Sequence, residues 1–285
     1  MPKVVLITGC SSGLGLALAV QAARAGHTVY ATMRNLGKRA ALEAAAQTAG
    51  VALHVAALDV QDSGSIADCV ARVIEEQGRI DVLINNAGAG YVRSTEQASA
   101  EDIDWVIDVN LIGVVRCTKA VIGHFRKQRS GHVIAISSVG GLVGQPFNEL
   151  YCAAKFGVEG YMEAMASYIT PSFGIHFTLV EPGGIASDFA ATVLKQVEET
   201  GGMLEDAYLP ILQKYVGKAQ TRQDGRDIYQ TAEEVAAVVL SCVDATDPPI
   251  RVRTSQWGEE FCALKTALDP DGKTQQQKVI AAFLE

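Results

Sequence analysis

Thr8-Gly9-Cys10-Ser11-Ser12-Gly13-Leu14-Gly15 follows a short apolar run and leads into a segment with the apolar recurrence of a helix packed against a sheet. Residues 4–8 read as a buried strand and 13–25 as a helix, so the turn between them ends at a helix N-terminus. Free backbone N–H groups and the positive end of the helix dipole make such a turn a place for phosphate oxygens. Gly9 permits a tight turn, Gly13 lets the backbone approach a diphosphate, and Gly15 allows close helix–strand contact, because a Cβ would intrude at each. Ser11, Ser12 and Leu14 complete this candidate dinucleotide loop. Its spacing is G-x-x-x-G-x-G rather than the commoner fingerprint, and an ordinary strand–helix turn is the alternative.

Working outward, strands are expected at 28–32, 51–57, 81–85, 132–137, 176–180 and 250–252, with helices at 36–49, 63–77, 101–128, 150–169 and 231–242. Repeated strand–helix units require a parallel sheet covered on both faces and joined by right-handed crossovers. The pattern predicts a single α/β domain over 1–285, a Rossmann-type doubly wound sheet of seven strands with helices on both faces. Open sheets of this kind take ligands beyond the strand C-termini. Residues 185–230 break the rhythm with mixed apolar and charged sequence and Gly201-Gly202, and are expected to form a helical substrate flap. Thr231 is placed to cap the next helix, with Glu234 at its third position. Residues 254–285 are expected to form a C-terminal extension, whose glutamine-rich tail after Asp269 reads as surface or interface material.

The 285 residues carry a net charge of -8, which leaves no electrostatic footprint for nucleic acid or an anionic membrane. The six cysteines, Cys10, Cys69, Cys117, Cys152, Cys242 and Cys262, lack paired metal spacing and read as buried thiols of a reducing compartment, so no metal is expected. There is neither a signal-peptide pattern nor an apolar run long enough to span a bilayer. A soluble, cytoplasmic protein is expected.

Two further clusters bear on chemistry. The second strand ends in Tyr30-Ala31-Thr32-Met33-Arg34, where an acid would bind both ribose hydroxyls of NAD and repel the extra phosphate of NADP. Arg34 offers several N–H donors to that phosphate and Ser11 a hydroxyl, which favours NADP; a merely surface-exposed arginine is the alternative. Asp59 and Val60 would meet the adenine edge, and Asn86, Ala87 and Gly88 would line a ribose. Far downstream, Tyr151 and Lys155 are i,i+4 partners on one helical face, and Ser138 ends the fifth strand. An ammonium beside a phenol favours the phenolate, and a serine hydroxyl can orient a carbonyl oxygen. An isolated surface pair would look the same; position after the glycine loop distinguishes the two.

In the order Thr8–Gly15, Asp59, Asn85–Gly88, Asn110, Ser138, Tyr151, Lys155, residues 3–188 resemble the short-chain dehydrogenase/reductase family. The resemblance implies that Tyr151 is the proton donor, Ser138 orients the carbonyl, and Lys155 binds ribose and activates Tyr151. It also implies that Asn110 bends its helix and supports a water-linked proton path to Lys155. Pro182, Gly183, Ile185 and Ser187 would lie beside the nicotinamide amide. The stretches Ser138-Val139-Gly140-Gly141-Leu142, Pro146-Phe147-Asn148 and Tyr151-Cys152-Ala153 are similar to the branch containing estradiol 17-beta-dehydrogenases and photoreceptor retinol dehydrogenases. Gln145 is a polar departure from it, and no histidine follows His176 to recognise a steroid phenol. Ser138, Gly140, Gln145, Tyr151 and Phe189 are the expected substrate contacts. The implied activity is NADP-linked interconversion of a bulky hydrophobic alcohol and its carbonyl compound, by a homodimer or homotetramer. A 17-beta-hydroxysteroid dehydrogenase and an NADP-sensing binding protein remain as alternatives.

Overall fold

The structure, a computed structural model, describes residues 1–186, 197–198, 202–223 and 229–284. In β1 (Val4–Ile7) all four residues are buried, Val4 and Leu6 on one face of the sheet and Val5 and Ile7 on the other. That two-sided burial explains why an unbroken apolar run, rather than an alternating one, forms a strand here. β2 (Thr28–Met33), β3 (His54–Ala57), β4 (Val82–Asn85), β5 (Gly131–Ile136), β6 (Ile175–Glu181) and a later strand β9 (Arg251–Arg253) join it. The seven strands are all parallel, in the order β3-β2-β1-β4-β5-β6-β9, which is the expected doubly wound sheet.

One face is covered by α1 (Gly13–Arg24), α2 (Ala40–Ala49) and α8 (Ala232–Asp244), through Leu18, Leu42 and Val239 among others. The other face carries α3 (Ser63–Gln77), α5 (Gly113–Gln128) and α6 (Glu149–Phe173), through Ile66, Val121 and Met162. Each fully buried aliphatic side chain stabilises the fold by about 1.5–3 kcal/mol relative to exposure.

Three departures from the sequence reading matter for the site. The single helix expected at 101–128 is α4 (Ala100–Ile107), a π-helical turn (Asp108–Ile112) and α5. A second, two-stranded sheet pairs β7 (Gly184–Ala186) with β8 (Tyr229–Thr231) in parallel, on either side of the flap segment that contains α7 (Leu209–Gln223). Beyond β9 the tail holds two helices, α9 (Gln256–Thr266) and α10 (Lys273–Phe283). Among the described residues, no helix is long and apolar enough to cross a membrane, and no group of side chains is arranged to hold a metal ion.

Candidate active site

Because the sheet is parallel, the residues following β1, β2, β4, β5 and β6 all emerge at its C-terminal edge. The glycine loop is fixed there by backbone bonds: the Cys10 N–H donates to the Thr32 carbonyl at 2.7 Å, tying the loop to the end of β2. Gly9 and Gly13 have positive φ, at 74° and 54°, the left-handed region that glycine enters without strain. A Cβ on Gly15 would lie 2.2 Å from the Gly9 carbonyl oxygen and 2.5 Å from Asn86 Nδ2, so this glycine serves the approach of α1 to the two loops. Ser12 is the N-cap residue of α1 but gives no side-chain cap, and no acid occupies the first turn. The helix N-terminus therefore keeps its attraction for an anion. Arg34 is exposed at the end of β2, where no acidic side chain precedes it. These features fit a dinucleotide cofactor.

Asn86, expected to line a ribose, has its side-chain amide bonded to the glycine loop. Nδ2 donates to the Thr8 and Gly9 carbonyls at 2.9 and 3.0 Å, clamping the glycine loop to the end of β4. The Thr8 hydroxyl accepts from the N–H groups of both Asn86 and Ala87 at 3.0 Å. Asp59 is half-buried, its Oδ1 accepting from the Gln61 N–H at 3.0 Å, while Val60 is buried beside Gly113. Gly88 is exposed; a Cβ there would lie 3.0 Å from Asn110 Oδ1 and 3.7 Å from Lys155 Nζ, which places both side chains beside it.

Asn110 is fully buried inside the π turn, donating to the carbonyls of Ala89 and Val106 at 2.9 and 3.0 Å and accepting from the Ala89 N–H at 3.0 Å. An asparagine that bonds the carbonyl four residues back competes with the helix ladder, and π turns frequently mark functional sites. The π turn thus has a local cause at Asn110.

Ser138 lies two residues beyond β5, its Oγ accepting from the Gly140 N–H at 3.0 Å, and its hydroxyl is close enough to Tyr151 to favour the phenolate. Lys155, one helical turn past Tyr151, is buried, donates to the Ile136 carbonyl at 2.8 Å, and lies 5.6 Å from the centre of the Tyr151 ring. Burial pushes the Tyr151 phenol up to about 12, opposed by the Ser138 hydroxyl, and brings the Lys155 amine down to about 8, opposed by Glu159. Both groups are desolvated together, so each is driven toward its neutral form.

Gly140, Gln145 and Cys152 adjoin Ser138: a Cβ on Gly140 would lie 3.3 Å from Ser138 Oγ and 3.5 Å from both Gln145 Nε2 and Cys152 Sγ. Pro182 is buried and its carbonyl accepts from the Val139 N–H at 2.9 Å, while half-buried Gly183 and Ile185 follow it. Ser187 and Phe189 lie outside the described residues. The described parts of the flap are held down by groups that the sequence reading did not single out. Buried Arg93 donates to the Gly202 carbonyl at 3.1 Å, Gln97 to Asp206 at 2.7 Å, and the Tyr208 hydroxyl to Glu96 at 2.6 Å. Asn148 donates to the Tyr215 hydroxyl at 2.9 Å, just before α6.

With this geometry in place, the comparisons agree on the family. A sequence model described as short chain dehydrogenase matches residues 3–198. Retinol dehydrogenase 8 of Bos taurus is 40% identical over 284 residues, covering 95% of this chain and 87% of its own. The 17-beta-hydroxysteroid dehydrogenase type 1 of Homo sapiens is 39% identical over 259 residues, covering 89% and 77% respectively. Among solved structures, a short-chain dehydrogenase from Streptomyces avermitilis superposes with a TM-score of 0.77 at 28% identity, covering 99% of this chain and 98% of its own. The chain belongs to the short-chain dehydrogenase family of oxidoreductases, whose chemistry links an alcohol or ketone to NAD(P).

Proposed function

We propose that this enzyme is an NADP(H)-dependent oxidoreductase that interconverts a bulky hydrophobic alcohol and its carbonyl compound. The observation that carries the reading is Tyr151 beside Ser138, with buried Lys155 one turn further on and 5.6 Å from the Tyr151 ring centre, at the same sheet edge as the glycine loop. When bound, the reduced nicotinamide supplies a hydride to the carbonyl carbon. Tyr151 gives its hydroxyl proton to the carbonyl oxygen, and Ser138 orients that oxygen with a hydrogen bond. Lys155 holds a ribose hydroxyl and Asn110 keeps its neighbourhood ordered. In oxidation Tyr151 takes the proton back.

NADP rather than NAD is supported by exposed Arg34 and the absence of an acid at the end of β2. A hydrophobic substrate is supported by Leu204, Ile211 and Leu212 in the flap and by the names of the relatives. Six free, buried cysteines are consistent with a reducing, cytoplasmic setting. Kinetics with a retinoid aldehyde, a 17-ketosteroid, an aliphatic ketone and a sugar test the assignment, each run with NADPH and NADH. The retinoid or the steroid is expected to give the highest kcat/KM, NADPH to bind more tightly than NADH, and Arg34→Ala to erode that preference. Equal affinities in the unchanged protein, or sugars ahead by more than about tenfold, would count against the cofactor and substrate assignments respectively.

A further inference from the structure

Behind the catalytic loop lies a buried acid pair that the mechanism above leaves unused. Tyr151, Lys155 and Glu159 follow one another at i, i+4 and i+8 along α6. Glu159 is buried and accepts a hydrogen bond from the Ser137 hydroxyl, on the residue just before Ser138. Glu181 closes β6 and is completely buried; Arg253 of β9 donates to its Oε2 at 3.1 Å. The backbone is cut to admit the first carboxyl: a Cβ on Gly141 would sit 2.9 Å from Glu159 Oε1 and 2.7 Å from Ser137 Oγ.

After these bonds are counted, one oxygen on each acid, Glu159 Oε2 and Glu181 Oε1, is buried with no donor directed at it. The two carboxyls lie close enough for each to shift the other's ionisation. Two carboxylates cannot bond each other, since both only accept, whereas a single proton between them satisfies both orphan oxygens. We propose that Glu159 and Glu181 share one proton, and that neutral Glu159 is a positioning residue which holds the Ser137–Ser138 segment against α6 without drawing the Lys155 ammonium away from Tyr151.

The surroundings assign the proton to Glu159. Burial raises both carboxyls; the neighbouring Glu181 charge pushes Glu159 further, well above the usual carboxylate range, whereas on Glu181 the Arg253 guanidinium opposes the rise. The charges facing the pair come from three elements: Lys155 and Glu163 on α6, Arg251 and Arg253 on β9, and Glu259 with the Cys262 thiol on α9. Arg253 Nε pairs with Glu259 at 2.9 Å and Nη2 donates to the Pro270 carbonyl at 2.7 Å, so the C-terminal segments reach the catalytic loop through this pair. An ionised Glu159 would instead give Lys155 a competing anion on its own helix face.

The inference rests on the roles proposed for Ser138, Tyr151 and Lys155, and its test separates the two. Glu159→Gln reproduces a protonated acid, with an N–H donor toward Glu181 and a carbonyl acceptor for Ser137. It is expected to keep kcat within about threefold and the pH profile in place, while Glu159→Ala lowers kcat at least about tenfold and leaves NADPH affinity nearly unchanged. A retinoid aldehyde and a 17-ketosteroid serve as substrates. Infrared difference spectra between the parent and Glu159→Gln should contain the C=O stretch of a buried protonated carboxylic acid at neutral pH, a readout that needs no turnover and survives failure of the Tyr151 assignment. Stability gives the sign independently. A carboxyl raised in the folded state contributes most below its unfolded value of about 4.3 and loses that contribution as pH rises toward the folded value, so the Tm advantage of Glu159→Gln over the parent should grow with pH. The proposal is overturned if Glu159→Gln is as slow as Glu159→Ala, if Glu159→Ala keeps full turnover, if the pH profile moves by about a unit, or if the protonated-acid band is missing. Should Glu159→Ala fail to fold, the Glu159→Gln profile and the spectrum still decide.

Discussion

Burial acts on Tyr151 and Lys155 in opposite directions, raising the phenol to about 12 and lowering the amine to about 8. At neutral pH the phenol is therefore held as the protonated acid, the form that a carbonyl reduction consumes, while the amine stays charged close to its titration point. Tyr151→Phe removes the acid and leaves the ring packing in place. It should fold and bind NADPH much as the parent does, with turnover lower by at least about 10²-fold, a typical loss for a general acid. Near-native turnover in a folded, cofactor-binding Tyr151→Phe enzyme would sink the assignment. These residues were legible because their chemistry depends on spacing: a helical i,i+4 pair after a strand-end serine is written in the chain itself. Glu159 and Glu181 were not, because each reads as one acid in an apolar element. The available hint was an acid at i+4 from Lys155, and another ending the strand His176-Phe177-Thr178-Leu179-Val180-Glu181 with no polar neighbour to solvate it.

At the level of elements, the sequence is informative where capping or two-sided burial operates and silent where a distant partner decides. Thr231 and Glu234 form the expected capping box: the Glu234 N–H donates to Thr231 Oγ1 at 3.1 Å, and the Thr231 N–H to Glu234 Oε2 at 2.8 Å. The same threonine ends β8, so the cap joins the small sheet beside the flap to α8, the helix packed on α1. Thr231→Ala should cost about 1 kcal/mol of unfolding free energy, measured by urea melts, with an unchanged m-value. A loss indistinguishable from zero would mean that β8 pairing and helix packing define this helix start without the cap. By contrast, the apolar periodicity of 101–128 runs through Asn110 unbroken. The π turn there follows from bonds to Ala89, supplied by the loop after β4, and from Val60 lying where a Cβ on Gly113 would come within 3.0 Å. The β7–β8 pair was invisible for the same reason. Its three-residue strands are too short to carry a pattern, and each is specified by the other, with Gly184 leaving room for the Tyr229 ring.

Across the whole molecule, a parallel sheet sends one set of strand ends to one edge, so groups more than a hundred residues apart, Gly9 to Tyr151, reach the same edge without long-range pairing signals in the sequence. The opposite problem arises on the helical flank. Phe156 and Tyr168 of α6 are 42% and 46% exposed, and Ile103 of α4 and Ile112 of the adjoining π turn are exposed as well. These exposed apolar side chains on adjoining helices are ones that a second copy could cover. The tail offers a competing surface in Leu264 and Leu268, both fully exposed at the end of α9 and just beyond it. The long helices are favoured as the contact because α6 also carries Tyr151 and Lys155, and an interface along it would stiffen the catalytic helix. The expected state is at least a homodimer, with a light-scattering mass near twice the 30.2 kDa chain at micromolar concentration. A stable interface buries roughly 800 Å² per partner, and charges placed at its centre are poorly tolerated. Phe156→Glu with Tyr168→Glu should therefore yield monomer, whereas Leu264→Ser with Leu268→Ser should leave the dimer intact. A monomeric parent protein would reject association altogether, and the reverse result for the two double variants would move the interface to the tail.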